Sequence, residues 1–349
     1  MAPPSIPNPY AEVHASPSGP GDARPTAYQM IKDNDLLGKM TDKTFLVTGG
    51  TDGLGLETVR TLAKTGARVF FTARSGEKAK KIVDSLAVEG KTDGELKDAR
   101  IEWVQIDNMS LKSVKAGAED FLRKSDKLNV LVANAGALPR LSFLAHFYLF
   151  QLLRPLLLKS STRSFKSRVV TVASTAHAFS TVQLGNYGQE SKVKSGYDKI
   201  CELDVDFNPI IAYGQSKTAN IWMANEIERR YGAEGLHGLS IHPGGIVTAG
   251  YANMDPIVQP IFEPLFSTEA FQKVFKSLSQ GAATQVLAAV GKDYEGKGGF
   301  YMEDCGVSRP IPDDEMVGTY GYRSWAFNPD GEKRLWADSL KMVGLDADE

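Results

Sequence analysis

Short β-rich runs alternate with amphipathic stretches along most of the chain, and this alternation constrains the fold more than any other feature. Strands that alternate with helices imply βαβ units, right-handed crossovers and a parallel sheet. The predicted strands are KTFLVTGG (43–50), RVFFTA (68–73), RIEWVQI (100–106), LNVLVANAG (128–136), SRVVTVAS (167–174) and LSIHPGG (239–245), and a further short strand is predicted near GGFYMED (298–304).

Helices are predicted between these strands and after them. No internal repeat is present, and residues 250–349 continue the same domain. The first 28 residues contain seven prolines and no apolar core, so they predict a flexible tail rather than a secretory signal. Residues 29–349 then form one domain, with C-terminal substrate-lid and tail segments. The predicted helices cover 54–66, 75–90, 111–125, 141–159, 211–231, 268–276, 281–291 and 331–342.

The composition excludes several function classes. A chain of 349 residues that is 42% hydrophobic can bury a sizeable core. A net charge of −2 gives no reason to expect nucleic acid. Cys201 and Cys305 are far apart, so we predict no disulfide framework, no metal site and a reducing, cytoplasmic location. The apolar run 141–158 contains polar residues and a proline, which favours a buried or interface helix over a membrane anchor.

A glycine-rich turn, LVTGGTDGLGLE, connects the first predicted strand to the first predicted helix. Glycine permits a tight turn and lets the backbone approach a pyrophosphate closely. The helix that begins at Leu54 points free N–H groups at that phosphate. The spacing GxxxGxG differs from the commoner GxGxxG, but its place between strand and helix predicts a dinucleotide site. The candidate ligands are Thr48, Gly49, Thr51, Asp52, Gly53, Leu54 and Gly55.

The end of the second strand indicates which dinucleotide is bound. An NAD site normally offers Asp or Glu about 20 residues after the turn, to hold the ribose 2′-hydroxyl. The sequence FFTARSGEK has no acid before Glu77, and it places Arg74 at the strand end with Lys78 four residues beyond. A guanidinium suits bidentate capture of a 2′-phosphate. These residues favour NADP(H), although a solvated surface arginine is the competing interpretation.

The segment AYGQSKTANI places Tyr213 and Lys217 one turn apart on the same face of a predicted helix. A nearby ammonium favours the phenolate form of a tyrosine, so the pair predicts an acid/base unit for a carbonyl or alcohol oxygen. Ser174 ends the preceding strand, at the carboxyl edge where α/β sheets bind ligands. We expect its hydroxyl to contact a substrate oxygen, and we expect His177 to be structural. In HPGGIVT, a glycine pair and Thr248 follow the next strand and are candidates to contact the nicotinamide and phosphates.

Together these motifs resemble those of the short-chain dehydrogenase/reductase family, and they occur in the family's order between about residue 38 and residue 305. The resemblance implies that Tyr213 is the general acid/base, that Lys217 activates it and binds the ribose, and that Ser174 contacts the substrate oxygen. It implies that Asp107 contacts adenine and that Asn134 steadies the central sheet. Further cofactor contacts are implied for Ala135, Gly136, Pro243, Gly244, Val247 and Thr248.

Three further segments indicate a subgroup within the family. They are the N-terminal segment before the glycine-rich turn, the QGAATQVLAAV helix and the YMEDCGVSRP segment. They resemble retinol-dehydrogenase-like reductases, especially the fungal ones that often modify secondary metabolites. Relatives form a four-helix dimer interface where this chain has helices 141–158 and 211–231, so a homodimer is expected.

The stretch VANAGALPRLSFLAHFYLF departs from the family pattern. The family has a longer loop after its NAG motif and an asparagine whose carbonyl holds a relay water. This chain has only ALPRL, with Ser142 at the asparagine position, three residues before Ala145. The backbone carbonyl of Ser142 is able to keep the relay, but the shortened connection removes one wall of the predicted substrate pocket. A nucleotide-binding protein with impaired or no catalysis is therefore an alternative. A sugar-nucleotide epimerase is a third, disfavoured by the glycine spacing.

From these features we predict a Rossmann-type, doubly wound α/β fold with helices on both faces and sheet order 3-2-1-4-5-6-7. The predicted function is NADP(H)-dependent oxidoreduction of a small carbonyl or secondary alcohol. The pocket is expected between the insertion 178–210 and a lid-like segment, 249–266. In that lid Met254, Phe262 and Phe266 suggest an apolar substrate, and core packing explains these residues equally well.

Overall fold

A single twisted sheet of eight strands forms the centre of the molecule, described here from a computed structural model. Its order is β3-β2-β1-β4-β5-β6-β7-β8, so the predicted order of the first seven strands is confirmed. The structure describes residues 6–136, 139–190, 207–246, 256, 258–315 and 320–346, with the backbone alone at 139–141. The strands are β1 (Thr44–Val47), β2 (Arg68–Ala73), β3 (Arg100–Gln105), β4 (Val130–Ala133), β5 (Ser167–Val172), β6 (Leu236–Ile241), β7 (Phe300–Glu303) and β8 (Gly306–Val307).

The first seven strands are parallel, and β8 returns antiparallel to β7. The turn between β7 and β8 places Asp304 and Cys305 at φ 49° and 57°. Sequence analysis did not foresee β8, because two residues with this backbone conformation give no glycine signal.

Helices cover both faces of the sheet, as predicted. They are α1 (Ala11–Ala15), α2 (Ala27–Asp33), α3 (Gly53–Ala63), α4 (Gly76–Glu89), α5 (Leu111–Lys124), α6 (Pro139–Ser160), α7 (Pro209–Tyr231), α8 (Gln259–Phe266), α9 (Glu269–Val274), α10 (Leu278–Val290) and α11 (Pro329–Met342). Three of these helices, α1, α2 and α8, were not predicted, and α8 forms from an apolar stretch of the expected lid.

Two apolar cores lie on opposite sides of the sheet because successive strand residues point to opposite faces. In β1, Phe45 and Val47 enter the core formed with α2, α3, α4 and α10, whereas Leu46 enters the core formed with α5, α6, α7 and α11. This two-sided burial explains why the strands are almost continuously apolar.

Polar side chains fix where the helices begin. Ser75 and Ser110 accept hydrogen bonds from the third amide of α4 and of α5, respectively. At α7 the Asn208 side chain accepts hydrogen bonds from the amides of Ile210 and Ile211, and Pro209 occupies the first helical position. The Asn-Pro pair therefore starts this helix two residues before the predicted residue 211.

The C-terminal helix α11 packs against α6 and α7. Trp336 is buried, and its ring lies edge-on to Phe147 at 5.0 Å and to Phe150 at 5.9 Å between centroids. The guanidinium of Arg230 lies over the same ring at 4.8 Å. The predicted homodimer uses the same two helices, so its interface is restricted to the surface that α11 leaves uncovered. Among the described residues, none of the helices combines the length and the apolar character that a membrane crossing requires.

Residues 6–28 correct the prediction of a flexible tail, because they pack against the domain. Arg24 is only 4% exposed. Its guanidinium donates hydrogen bonds to the carbonyls of Val274 at 2.8 Å and Phe275 at 2.5 Å, and it forms an ion pair with Asp22 at 2.8 Å. The side chain of Gln280 adds hydrogen bonds to this segment, which is named the N-terminal strap. The prolines leave little regular structure in this segment, where only the short helix α1 forms before α2, but they do not prevent an extended segment from being held by side chains.

We predict that Arg24→Met lowers the free energy of unfolding by about 3–5 kcal/mol, because it leaves the Asp22 carboxylate unpaired and the carbonyls after α9 without a donor. Chemical denaturation measures the change. Arg163→Met is the control, because Arg163 is exposed, and it should change stability by less than about 0.5 kcal/mol. Equal, small effects of both substitutions would show that the strap is not packed in solution.

Candidate active site

Thr48 joins the carboxyl ends of the two central strands, β1 and β4. Its hydroxyl accepts hydrogen bonds from the backbone amides of Asn134 at 2.9 Å and Ala135 at 3.0 Å. The Asn134 side chain donates in return to the Thr48 carbonyl at 2.9 Å. Ladder bonds between the strands end at this level, so these side-chain bonds fix the glycine-rich turn relative to residues 134–136.

Three glycines of the turn have no room for a side chain or adopt a conformation that disfavours one. A Cβ on Gly55 would lie 2.2 Å from the Gly49 carbonyl oxygen and 2.6 Å from the Asn134 side-chain nitrogen. Gly49 and Gly53 have φ values of 69° and 52°, and a Cβ on Gly53 would meet nothing within 4 Å. The turn is therefore closely packed on the protein side and open on the other side, next to the N-terminus of α3.

Residues at the carboxyl ends of β2 and β3 lie next to this turn. Arg74 is exposed and makes no side-chain hydrogen bond or ion pair within the described part of the chain. Lys78 lies 3.8 Å from Asp52, whose carboxylate also accepts a hydrogen bond from the Gly53 amide and caps α3. The Asp107 carboxylate accepts from the Met109 amide in its own turn. Arg74 is thus a guanidinium that remains available to an anionic ligand.

Lys217 is a buried cation of the site. It is 6% exposed, and its ammonium donates a hydrogen bond to the Val172 carbonyl at 2.9 Å, at the end of β5. The ammonium also lies beside Gly136, where an added Cβ would be 3.4 Å away, and 5.4 Å from the centre of the Tyr213 ring. The structure therefore brings one end of β4, one end of β5 and Tyr213 together around one cation.

Ser174 follows β5 and caps the 3₁₀ turn Thr175–Phe179. Its side-chain oxygen accepts a hydrogen bond from the Ala176 amide at 3.1 Å. This turn lies directly on α7, because a Cβ on Gly214 would be 2.8 Å from the Ala176 carbonyl oxygen. Gly214 is the residue after Tyr213, so Ser174 and Tyr213 approach the same edge of the sheet on two elements in close contact.

The helix α6 contacts the residue that follows β1, although the connection before the helix is short. His146 is 2% exposed, and its Nε2 lies 2.9 Å from the Thr48 hydroxyl. Burial, together with a smaller effect of the Lys217 ammonium, lowers the pKa of His146 to about 3, so the ring is neutral near pH 7. Ser142 lies one turn before His146 and is partly buried. The structure describes Ser142 but neither residues 137–138 nor the side chains of 139–141.

The end of β6 contributes a loop with little room for side chains. Gly244 has φ 97°, and a Cβ there would lie 2.7 Å from the Lys276 side chain. Lys276 is buried, and its ammonium pairs with Asp304 at 2.6 Å, while its amide donates to the Gly245 carbonyl at 2.8 Å. Pro243 precedes this turn. The candidate residues Val247 and Thr248 lie outside the described residues, as does Met254.

An apolar cluster packs against Tyr213, which is partly buried. The rings of Phe179 and Phe262 lie 5.8 Å apart, and Phe262 stacks on Phe266 at 5.6 Å. Phe262 and Phe266 belong to α8 in the expected lid. Ala176, Ile210 and Ile211 complete the cluster, named here the aromatic wall. The wall therefore places apolar side chains against the side chain of Tyr213.

The predicted site residues that the structure describes lie along one edge of the sheet, the carboxyl edge. Sequence reasoning missed the roles of His146, the Val172 carbonyl and Lys276, which hold other site residues in place. Of these three, only His146 could have been singled out from the sequence, because it lies four residues after Ser142, the position where the family has an asparagine. Among the described residues, no group of three or more His, Cys, Asp or Glu side chains is placed to hold a metal ion.

Comparison with known proteins gives one consistent family. The family model for "short chain dehydrogenase" matches residues 43–192. "Short-chain dehydrogenase/reductase prx1" of Penicillium roqueforti is 43% identical over 350 residues, covering 96% of this chain and 95% of the relative. "Oxidoreductase calI" of Penicillium decumbens is 40% identical, covering 97% of this chain and 98% of the relative.

Among solved structures, the RhlG/NADP active-site complex of Pseudomonas aeruginosa has a TM-score of 0.53 at 22% identity, covering 75% of this chain and 94% of that one. This likeness supports the fold alone. The two fungal relatives match the chain over nearly its whole length, and their names agree with the family model. The chain therefore belongs to the short-chain dehydrogenase/reductase family.

Proposed function

We propose that this protein is an NADP(H)-dependent oxidoreductase that interconverts a carbonyl and a secondary alcohol. The observation that supports this most is the position of Lys217. Its ammonium is buried between the Val172 carbonyl and Gly136, beside the Tyr213 ring. An ammonium held next to a phenol stabilises the negative charge that develops on the phenol oxygen as its proton leaves.

The residues of the glycine-rich turn fit a dinucleotide. The backbone of Gly49, Gly53 and Gly55 leaves open space beside the N-terminus of α3, and this arrangement suits a pyrophosphate. Arg74 supports NADP(H) over NAD(H), because its exposed guanidinium has no partner among the described residues and suits a 2′-phosphate. A bound NADP(H) supplies or accepts the hydride.

The chain's own residues then handle the proton and the substrate oxygen. In the reductive direction Tyr213 donates a proton to the oxygen of the carbonyl, and in the oxidative direction it accepts one. Lys217 stabilises the resulting phenolate, and its bond to Val172 keeps the ammonium in place throughout. Ser174 donates a hydrogen bond that holds the substrate oxygen and stabilises its developing charge.

The aromatic wall supports an apolar substrate. Tyr213 packs against this cluster, so a ligand whose reactive carbon lies on a hydrophobic frame would meet apolar surroundings next to the phenol. The two fungal relatives carry names of oxidoreductases, and a role in secondary metabolism is part of the proposal. A cytoplasmic location and a homodimer are also proposed, the latter through surface that α11 does not cover.

A second candidate is a nucleotide-binding protein without turnover. The observation that favours it is the connection of five residues, 134–138, between the end of β4 and the start of α6. Against it, His146 still anchors α6 to Thr48. A panel of carbonyl and alcohol substrates with NADPH or NADP⁺, followed by nicotinamide absorbance, separates the two. Tight NADPH binding with no turnover across the panel would favour the second candidate.

Cofactor choice provides one prediction. Arg74→Ala should weaken NADPH binding by about 1.5–3 kcal/mol, the cost of losing a hydrogen bond to a charged group, and should leave NADH binding nearly unchanged. Isothermal titration with both cofactors measures this. Arg163→Ala removes another exposed arginine and should change neither affinity. Equal losses for NADPH and NADH would contradict the assignment of the 2′-phosphate to Arg74.

Proton transfer provides another prediction. Tyr213→Phe should lower kcat by about 10²–10⁴-fold, because it removes the acid/base hydroxyl, and should leave NADPH affinity nearly intact. Steady-state kinetics and cofactor titration measure the two effects. Tyr28→Phe is the control, since the Tyr28 hydroxyl bonds Glu95 at the surface and its loss should not change turnover. A Tyr213→Phe variant with wild-type kcat would exclude the proposed mechanism.

A further inference from the structure

His177 lies three residues after Ser174 and is 1% exposed. The proposed chemistry gives this side chain no role, since Tyr213 already serves as the acid/base group. A buried histidine is often a packing residue, and the ring does pack against Tyr301 at 5.1 Å between centroids. Its polar contacts, however, go beyond what packing requires.

Both ring nitrogens of His177 have partners of defined polarity. Nδ1 lies 2.8 Å from the Ser174 carbonyl oxygen, which only accepts, so Nδ1 must carry the proton. Nε2 accepts a hydrogen bond from the backbone amide of Arg323 at 3.3 Å. One neutral tautomer satisfies both contacts. Burial lowers the pKa of His177 to about 4, partly opposed by the bond to Ser174, so the ring stays neutral at pH 7.

The backbone carbonyl of His177 makes a second set of contacts. It accepts a hydrogen bond from the indole of Trp325 at 3.0 Å, and it lies 3.3 Å from the Thr218 hydroxyl, whose proton it shares with the Ser180 carbonyl at 2.7 Å. Thr218 follows Lys217 on α7. His177 therefore links the end of β5, the helix that carries Tyr213 and Lys217, and the C-terminal segment Arg323–Trp325.

The Ser174 carbonyl is the point where this network reaches the site. It accepts a hydrogen bond from the His177 ring and another from the His177 amide at 3.0 Å. The peptide that carries this carbonyl determines how the 3₁₀ turn leaves β5, and so where the Ser174 hydroxyl points. The hydroxyl oxygen already accepts from the Ala176 amide at 3.1 Å, which leaves its own proton for a ligand.

We propose that His177 is a positioning residue for Ser174, and that the C-terminal segment Arg323–Trp325 selects the ring tautomer that does this. The inference rests on the proposed function only for the role of Ser174 in turnover. The network itself stands on the contacts of His177. A residue near the C-terminal end of the chain thus determines the geometry of a group 149 positions earlier, because the Arg323 amide leaves Nδ1 as the donor to the Ser174 carbonyl.

Three substitutions separate positioning from packing. His177→Phe keeps a ring against Tyr301 and removes both hydrogen bonds. His177→Asn places an amide N–H near the Nδ1 position and keeps the bond to Ser174. His177→Gln reaches the Nε2 position and keeps a partner for the Arg323 amide, but loses the donor to Ser174. His237→Phe is the matched control, because His237 is also buried and bonds Glu228 at the opposite edge of the sheet.

Kinetics give the first readout. His177→Phe and His177→Gln should lower kcat by about 10-fold or more, the effect of one lost hydrogen bond. His177→Asn should recover kcat to within about 3-fold of wild type, and NADPH affinity should stay unchanged in all variants. His237→Phe should lower stability without this kcat pattern. An equal kcat in the Asn and Gln variants, or a higher kcat in Gln, would overturn the proposal.

Hydrogen exchange gives a second readout that needs no turnover. The amides of residues 174–179 should exchange about 10-fold faster or more in His177→Gln than in His177→Asn, while the rest of β5 is unchanged. If the wild type shows no turnover, the proposed function fails and exchange alone decides the role of His177. If His177→Phe does not fold, the Asn and Gln pair still decides it. Equal exchange of 174–179 in that pair would refute the positioning role.

Discussion

The hydrogen bonds of Thr48 hold together the edge of the sheet on which the candidate site depends. Its hydroxyl accepts from the amides of Asn134 and Ala135 and lies beside His146 of α6. Buried polar groups must be paired, so this one side chain aligns the glycine-rich turn, the end of β4 and a helix on the opposite face. The Asn134 side chain that completes the arrangement is also the group that leaves no room for a Cβ on Gly55.

The site is built from backbone carbonyls as much as from side chains. Val172 holds the Lys217 ammonium, and Ser174 receives the His177 ring. Both carbonyls belong to the last residues of β5 or the turn after it, where ladder bonds no longer use them. A strand that ends early therefore supplies acceptors for the side chains of α7 and of the 3₁₀ turn, and the geometry of those side chains follows the position of one strand.

The fold and part of the site could be predicted from the sequence because their signals are local. Alternating apolar runs predicted the first seven strands, the resemblance to the family implied their order, and the spacing of Tyr213 and Lys217 placed both on one helix face. Other features depend on contacts far apart in the chain. Arg24 finds its acceptors about 250 residues away, and His177 finds Arg323 146 residues away. The sequence around Arg24 or around His177 does not by itself indicate such a distant partner. The N-terminal strap was therefore expected to be flexible.

The cover that α11 places over α6 and α7 has a consequence for synthesis of the chain. Domains fold as their residues leave the ribosome, from the N-terminus onward. Phe147 and Phe150 are made long before Trp336, against which they pack. Until α11 emerges, α6 and α7 present an apolar surface that nothing in the earlier part of the described chain covers in its place. A chain truncated before residue 329 would therefore contain every candidate catalytic residue and yet expose this apolar surface, which makes it prone to aggregation.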